Sequence, residues 1–490
     1  MNNFIEKHKQ KITGTISIFD RIIFKGYLPL GYPEAMENFL YRNDILIKDF
    51  RRFTKKQSQS LKQNAINYAQ KENRPYQFLN GKTRKEQLAH EIADKDAIKE
   101  GLICVFSVVE QNPSFTMRYG ENRPRLVSCR PRCLTLYFYF MDRKFGFMHV
   151  RLQTWFPFMI QIYINGHEWL AKKMDARGIG YQKLKNAFLS IDDCQKAQKI
   201  ADKFPKQRWE KVFSSFARRL NPLLKGILKG MEYYWVTAQS EYATDIMFKD
   251  PASLSPLYKK LHRHSTVCFS AEDVLTFLGR KLNGNFKGRV ENDYKKRLPG
   301  VRVKHRMKAN EIKMYDKFGS VLRIETVINH PYEFKIRRRG KRRGETVMGW
   351  FPMAKRVTNL YRYAEVSMSA NQKYLEALSV VDDPAASIKM LDKLCEPAKL
   401  NGNRKRAMNP VSISDVKLFA AAMRGDHFIH GFRNGQLAQH LGIELSEDKT
   451  ERRRQSSRIC RMLQLLRAHR LIAKIPRSRR YRVTLRSFKL

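Results

Sequence analysis

Five carboxylates carry the chemistry this sequence offers. Glu241 and Asp245 stand four residues apart in the stretch 231–248. Read as a helix, that stretch places both on one face. Divalent-metal phosphodiester chemistry needs oxygen ligands of this kind, and two Mg2+ ions about 4 Å apart need several of them. Asp20 and Glu110 stand at strand ends, and Glu325 belongs to a hairpin pattern. Asp20 interrupts the apolar strand pattern of 12–30, where a buried carboxylate is costly unless it is paired or binds metal. The catalytic set is therefore Asp20, Glu110, Glu241, Asp245 and Glu325, with Asp20, Glu241 and Asp245 as metal ligands. Mg2+ is the ion expected if the protein is an enzyme. Ordinary solvent-facing or Arg-paired carboxylates account for the same letters, and the chain contains no diagnostic catalytic motif.

The elements that must position these acids read as an α+β body. Strand patterns at 102–109, 114–118, 134–140, 145–153 and 158–164 are rich in aromatic and β-branched residues. A helix follows from His167 to Asp175, after the turn signal Asn165-Gly166. The aromatic residues of these strands read as a sheet core, with base stacking as the lesser alternative. Strands at 301–306, 311–317 and 321–328 make a hairpin region in which alternation sets Lys313, Tyr315 and Lys317 on one face and pairs Arg323 with Glu325 on another. The run 335–343 (KIRRRGKRR) reads as a loop whose Arg337, Arg338, Arg339, Lys341, Arg342 and Arg343 contact phosphates. A helix is expected over 350–378.

The C-terminal segment reads helix, helix, long basic helix, basic hairpin, which is the order of a winged helix. Arg452, Arg453, Arg454 and Arg458 load the long helix, and Arg477, Arg479 and Arg480 occupy the tip of the hairpin. Both surfaces with which a winged helix touches DNA thus carry arginine. The expected domains are a body over 1–300 with an antiparallel-rich sheet, a basic hairpin and helix over 301–380, a linker over 381–412, and a winged-helix nucleic-acid-binding domain over 413–490.

Composition points the same way. Lys and Arg number 95 against 46 Asp and Glu, a net charge of +49. Such a charge repels itself unless a polyanion neutralises it, which makes nucleic acid the expected partner, DNA ahead of RNA. With 42% hydrophobic and 11% aromatic residues, the chain is too apolar for a disordered basic protein. No apolar run reaches the length of a membrane span and the N-terminus lacks a signal-peptide core, so a cytoplasmic protein without membrane contact is expected. Seven scattered cysteines without CxxC pairs fit that compartment and argue against a zinc site.

Two resemblances add to this reading. The Tyr-Asp-Lys and Arg-x-Glu pattern at 315–317 and 323–325 resembles a hairpin of rolling-circle replication initiators. On that analogy Glu325 is the acidic residue, and a nucleophile comes from Tyr361, Tyr363 or Tyr374. Asp20, Glu110 and a helical acid, in that order, are similar to an RNase H-like site. Across its length the chain resembles an uncharacterised bacterial, often multicopy family with a C-terminal MarR-like winged helix. That resemblance is carried by 19–26 (FDRIIFKG), 149–158 (HVRLQTWFPF), 234–248, 313–325 and 431–437 (GFRNGQL). It implies a mobile element and no established reaction. Two functions follow: a DNA-processing protein, transposase-like or nuclease-like, that cuts or joins strands with Mg2+, or a non-catalytic DNA- or RNA-binding protein such as a MarR-like regulator.

Overall fold

The structure, a computed structural model, describes residues 2–120, 123–269, 271–280, 289–296, 301–342, 344–381, 393–409, 412–424, 427, 431–444, 446–484 and 487. Its strands are β1 (Ile12–Tyr27), β2 (Tyr76–Phe78), β3 (Gly101–Gln111), β4 (Ser114–Tyr119), β5 (Pro124–Cys129), β6 (Arg132–Asp142), β7 (Gly146–Gln153), β8 (Ile160–Asn165), β9 (Tyr181–Leu184) and β10 (Ala187–Ile191). They continue as β11 (Tyr234–Phe248), β12 (Val290–Lys296), β13 (Val301–Met307), β14 (Asn310–Lys317), β15 (Val321–Ile328), β16 (Lys335–Arg342) and β17 (Glu345–Pro352). Eleven of them form one sheet in the order β12-β13-β14-β15-β11-β1-β8-β7-β6-β3-β2. Pairing is antiparallel from β1 through β8, β7 and β6 to β3, and again among β12, β13 and β14; β2 joins β3 in parallel. With its helices this is the α+β architecture expected.

The chain divides into two compact units, one formed by Thr13–Met247 with Glu325–Met368, the other by Met1–Ile12, Phe248–Ile324 and Ser369–Leu490. In the first unit, Tyr137, Tyr139, Phe147 and Phe156 are buried, as a sheet core requires. Helix Lys85–Lys95 lies against β3 and helix Phe50–Lys71 against β3 and β6. Helix Trp209–Leu220 brings Trp209 and Phe213 onto Phe24 and sets Phe216 beside Phe140. These aromatic pairs, with ring centroids 4.4 to 6.0 Å apart, supply much of the apolar burial on that side.

In the second unit, His305 on β13 is buried between Asn292 and Tyr374, its Nδ1 2.7 Å from Asn292 Oδ1 and its Nε2 3.0 Å from the Tyr374 hydroxyl. The C-terminal region follows the order helix Ile413–Ala422, helix Asn434–His440, helix Lys449–Ala468, then paired strands Ile472–Lys474 and Tyr481–Val483. Its core joins Leu418, Leu437, Ile459, Leu463, Leu466 and Val483. Leu394 and Met408 belong to the same core, and Arg406 pairs with Asp415. The second half of the expected linker is therefore folded against these helices; 382–392 lie outside the described residues.

Three local expectations are corrected. Residues 234–248 form a strand, not a helix. Their Tyr, Trp, Val and Thr content favours a pleated surface, and burial of every residue from Tyr242 to Phe248 erases the alternation that would have announced it. The run read as a loop at 335–343 is strand β16, paired residue for residue with the apolar β17; its charge obscured the pairing. Because β17 ends at Pro352, the following helix starts only at Leu360.

Candidate metal centre and its surroundings

Three of the five acids meet. Asp20 on β1, Glu241 on β11 and Glu325 on β15 each offer a carboxylate oxygen, and these oxygens lie within 4.8 Å of one another. The three strands are consecutive in the sheet. Ser17 Oγ lies 3.0 Å from Thr244 Oγ1, and the Phe19 and Tyr242 rings meet edge to face with centroids 5.0 Å apart. Both contacts step in opposite directions along β1 and β11. The same stagger sets Asp20 across from Glu241 on the other face. Asp20 and Glu325 are 5% and 2% exposed, while Glu241 is half-buried, so the cluster opens on the Glu241 side. Gln239, two residues earlier on the same face, donates to Glu241 Oε1 at 3.1 Å.

Asp20 is held from two further elements. Lys185, at φ 51, and Asn186 make the two-residue turn between β9 and β10. Such hairpin turns favour residues that tolerate positive φ. The Asn186 side-chain amide donates to both Asp20 oxygens, at 2.8 and 2.9 Å. His167 opens helix Gly166–Asp175, whose N-cap Asn165 accepts from the backbone N–H groups of His167 and Glu168. The buried imidazole lies between two carboxylates, Nδ1 3.1 Å from Asp20 Oδ1 and Nε2 3.2 Å from Asp245 Oδ2. Gly166 makes this approach possible, because a Cβ there would stand 2.1 Å from the Phe19 carbonyl oxygen. His167, Asn186 and Gln239 escaped sequence reasoning. Asn165-Gly166 at a strand-to-helix junction was the one signal available for His167.

Asp245 lies outside the cluster, contrary to the metal role expected of it. On a helix it would sit one turn from Glu241, whereas on a strand four residues span about 13 Å. Fully buried, it contacts the far side of His167 instead. Glu110 is also elsewhere. It accepts from the Tyr137 hydroxyl at 2.8 and 2.9 Å and pairs with Arg151 at 3.1 Å and Lys85 at 3.2 Å. Burial pushes its pKa up, but the Tyr137 hydrogen bonds and the Arg151 charge outweigh it and hold the carboxyl below its ordinary range. Glu110 reads as an ion-paired structural acid.

Cations flank the cluster on its own face of the sheet. Asn165, whose amide lies 3.5 Å from Asp20, pairs with Arg21 across β1 and β8. Four residues on, Lys25 pairs with Gln161, which in turn pairs with Arg151 on β7. Arg21 stacks on the Tyr163 ring at 5.3 Å. Burial lowers the Lys25 pKa, and the charges of Arg151, Lys355 and Arg130 lower it further. Two of these cations have carboxylate partners, Arg151 in Glu110 and Arg21 in Glu86 at 3.6 Å. A cavity of about 750 Å3, lined among others by Phe19, Tyr242, Trp209 and Tyr361, opens on the opposite face of β1 and β11 from the acids.

Of the three tyrosines considered as nucleophiles, Tyr363 and Tyr374 are fully buried, and burial drives both hydroxyl pKa values upward. Tyr361 is 40% exposed. The expected phosphate-contacting residues Arg337, Arg338, Arg339, Lys341 and Arg342 are exposed on β16, and Arg343 lies outside the described residues. Arg452, Arg453, Arg454 and Arg458 project to solvent from helix Lys449–Ala468; Arg477 and Arg479 are exposed and Arg480 is half-buried. Comparison with models of known protein families, with curated proteins and with solved structures finds no match. No helix among the described residues is long and apolar enough to cross a membrane.

Proposed function

We propose that the protein is a divalent-metal-dependent enzyme that cuts or joins DNA strands, a DNA-processing protein of a bacterial mobile element. One observation carries this reading: three carboxylates from three adjacent strands converge within 4.8 Å in a chain of net charge +49. Oxygen ligands at that spacing suit Mg2+ or Mn2+. Asp20, Glu241 and Glu325 would hold the metal, while Asn186 and His167 keep the Asp20 carboxylate oriented, as partners of metal ligands do. A bound ion would polarise a phosphate oxygen and favour deprotonation of an attacking water or hydroxyl, which displaces the leaving oxygen from phosphorus in line. Lys25 and Arg21 would draw the phosphate backbone along the same face.

The C-terminal helices and paired strands follow the order of a winged helix, and their exposed arginines support a role in placing the enzyme on DNA. The same surface would serve a non-catalytic regulator or RNA-binding protein, so the acids separate the two readings. The test is incubation of the full chain with end-labelled single- and double-stranded DNA, with Mg2+, Mn2+ or EDTA. Metal-dependent cleavage or joining that Glu325→Gln abolishes is the expected result. Tight DNA binding with no covalent change under any metal would leave the binding protein and remove the enzyme. A covalent protein–DNA adduct lost in Tyr361→Phe would replace the metal-activated water with a tyrosine nucleophile.

A further inference from the structure

The hairpin β16–β17 carries more than charge. Residues directly opposite on paired strands share a face. Arg337 is opposite Trp350, Arg339 opposite Met348 and Lys341 opposite Thr346. All six are exposed, so one face of the hairpin is a row of cations interleaved with a tryptophan and a methionine. The opposite face is closed on itself. Ile336 is buried, Arg338 lies over the Phe351 ring at 5.0 Å, and the Phe351 ring packs so closely on Gly340 that a Cβ there would meet it at 2.8 Å. The hairpin therefore presents a defined outer side.

Trp350 is 58% exposed, an unusual position for so large an apolar ring, yet it is not loose. The Arg362 guanidinium stands 5.2 Å from the ring centre. That arginine is itself anchored: Nε donates to the Lys335 carbonyl at 2.9 Å and Nη1 pairs with Glu365 at 2.8 Å. A fixed cation supporting one part of an exposed indole, with cations in the same row, suits a flat, electron-rich group tethered to an anion. An unpaired nucleobase on its phosphate backbone has that chemistry. A protein partner that covered Trp350 would also have to desolvate Arg337, Arg339 and Lys341, a cost offset only by a partner that brings an anion to each.

We propose that the β16–β17 hairpin grips single-stranded nucleic acid, with Trp350 stacking on an unpaired base while Arg337, Arg339 and Lys341 hold the adjoining phosphates. The inference rests on the reading that the protein acts on nucleic acid, and it adds the form of the substrate: a strand with unpaired bases.

The experiment is equilibrium binding of the full chain in EDTA, read by fluorescence anisotropy. Three probes of equal length are used: a labelled oligothymidylate, an abasic oligomer and a blunt duplex. Base–aromatic stacking is worth a factor of about 5 to 150 in affinity. Trp350→Ala should weaken oligothymidylate binding by such a factor, leave the abasic oligomer unchanged, and keep the salt dependence of the wild type, since every cation that meets a phosphate is still in place. Trp350→Phe, which retains an aromatic face, should recover most of the affinity. Equal loss on both single strands, or no loss on oligothymidylate, overturns the stacking role. Failure of the wild type to bind any of the three probes would sink the nucleic-acid reading itself. Because no metal is present, the outcome is separate from whether the acids catalyse anything.

Discussion

Replacing Glu325 by Gln should relieve charge repulsion in the metal-free protein and blunt its response to metal. Two unit charges 4.8 Å apart repel by about 3.5 kcal/mol at an effective dielectric constant near 20. Glu325 takes part in two such pairs, with Asp20 and with Glu241. Removing its charge relieves both, and this relief opposes whatever its other neighbours lose. In EDTA, the melting temperature of Glu325→Gln therefore reads the balance between that relief and the contacts Glu325 gives up. A divalent ion at about 100 times its dissociation constant stabilises the protein that binds it by about 2.7 kcal/mol. At about 2–4 °C per kcal/mol for domains of this size, the wild type should gain about 5–10 °C on adding Mn2+ or Mg2+. The variant, short of one ligand, should gain less than a third of that. Scanning calorimetry in EDTA and across a metal titration measures all four quantities. The reasoning is refuted by a wild type whose melting ignores both metals, or by a variant that responds as strongly as the wild type. A variant that melts well below the wild type in EDTA would mean that Glu325 is a paired structural acid.

Three further outcomes test other features of the molecule. Gly166→Ala puts a Cβ 2.1 Å from the Phe19 carbonyl oxygen, so it should cost more than about 3 kcal/mol in chemical denaturation and weaken the metal response by moving His167 away from Asp20. Glu110→Gln should cost about 1–3 kcal/mol at neutral pH through its lost charged hydrogen bonds. Its folded pKa lies below the unfolded value, so that contribution is fully present above about pH 4.3 and disappears as pH falls through the folded value; stability-versus-pH curves of wild type and variant should converge in acid. Neutralising Arg452, Arg453, Arg454 and Arg458 together should flatten the log–log salt dependence of DNA binding by about 0.9 unit for each phosphate the helix no longer neutralises, and an unchanged slope would move the DNA footprint off helix Lys449–Ala468.

Asp20 was visible as a carboxylate interrupting an apolar strand pattern, although a surface or strand-end Asp20–Arg21 feature was the more ordinary account of the same letters, and Glu325 because period-two alternation on β15 placed it on a defined face. Glu241 and Asp245 were paired by helical spacing, yet period two also sets residues four apart on one face. The shared face survived the error and the proximity did not. A strand stretches the pair too far for one ion, and the gap is filled by His167 from a segment some seventy residues earlier. No local pattern encodes that meeting, nor the Asn186 turn that grips Asp20. The basic run at 335–343 was misread for the opposite reason: its charge was plain, but the strand that pairs with it announces itself only through Trp350 and Phe351.

The three acids stand on three consecutive strands, so the backbones carrying Asp20 and Glu325 are about two strand spacings apart, roughly 9–10 Å, and their side chains must converge to bring the carboxylate oxygens within 4.8 Å. The geometry offered to an ion thus depends on the length and direction of side chains carried by the ladder, with the Asn186 turn holding Asp20. Insertions and deletions in connections other than the β9–β10 turn and the junction before His167 would leave it in place, whereas a change of side-chain length, such as Asp for Glu, alters the bite. A centre built this way has little room to clamp down on what it binds. On the proposed reading, compliance would come from outside it, in the peripheral hairpins or in the nucleic-acid strand itself.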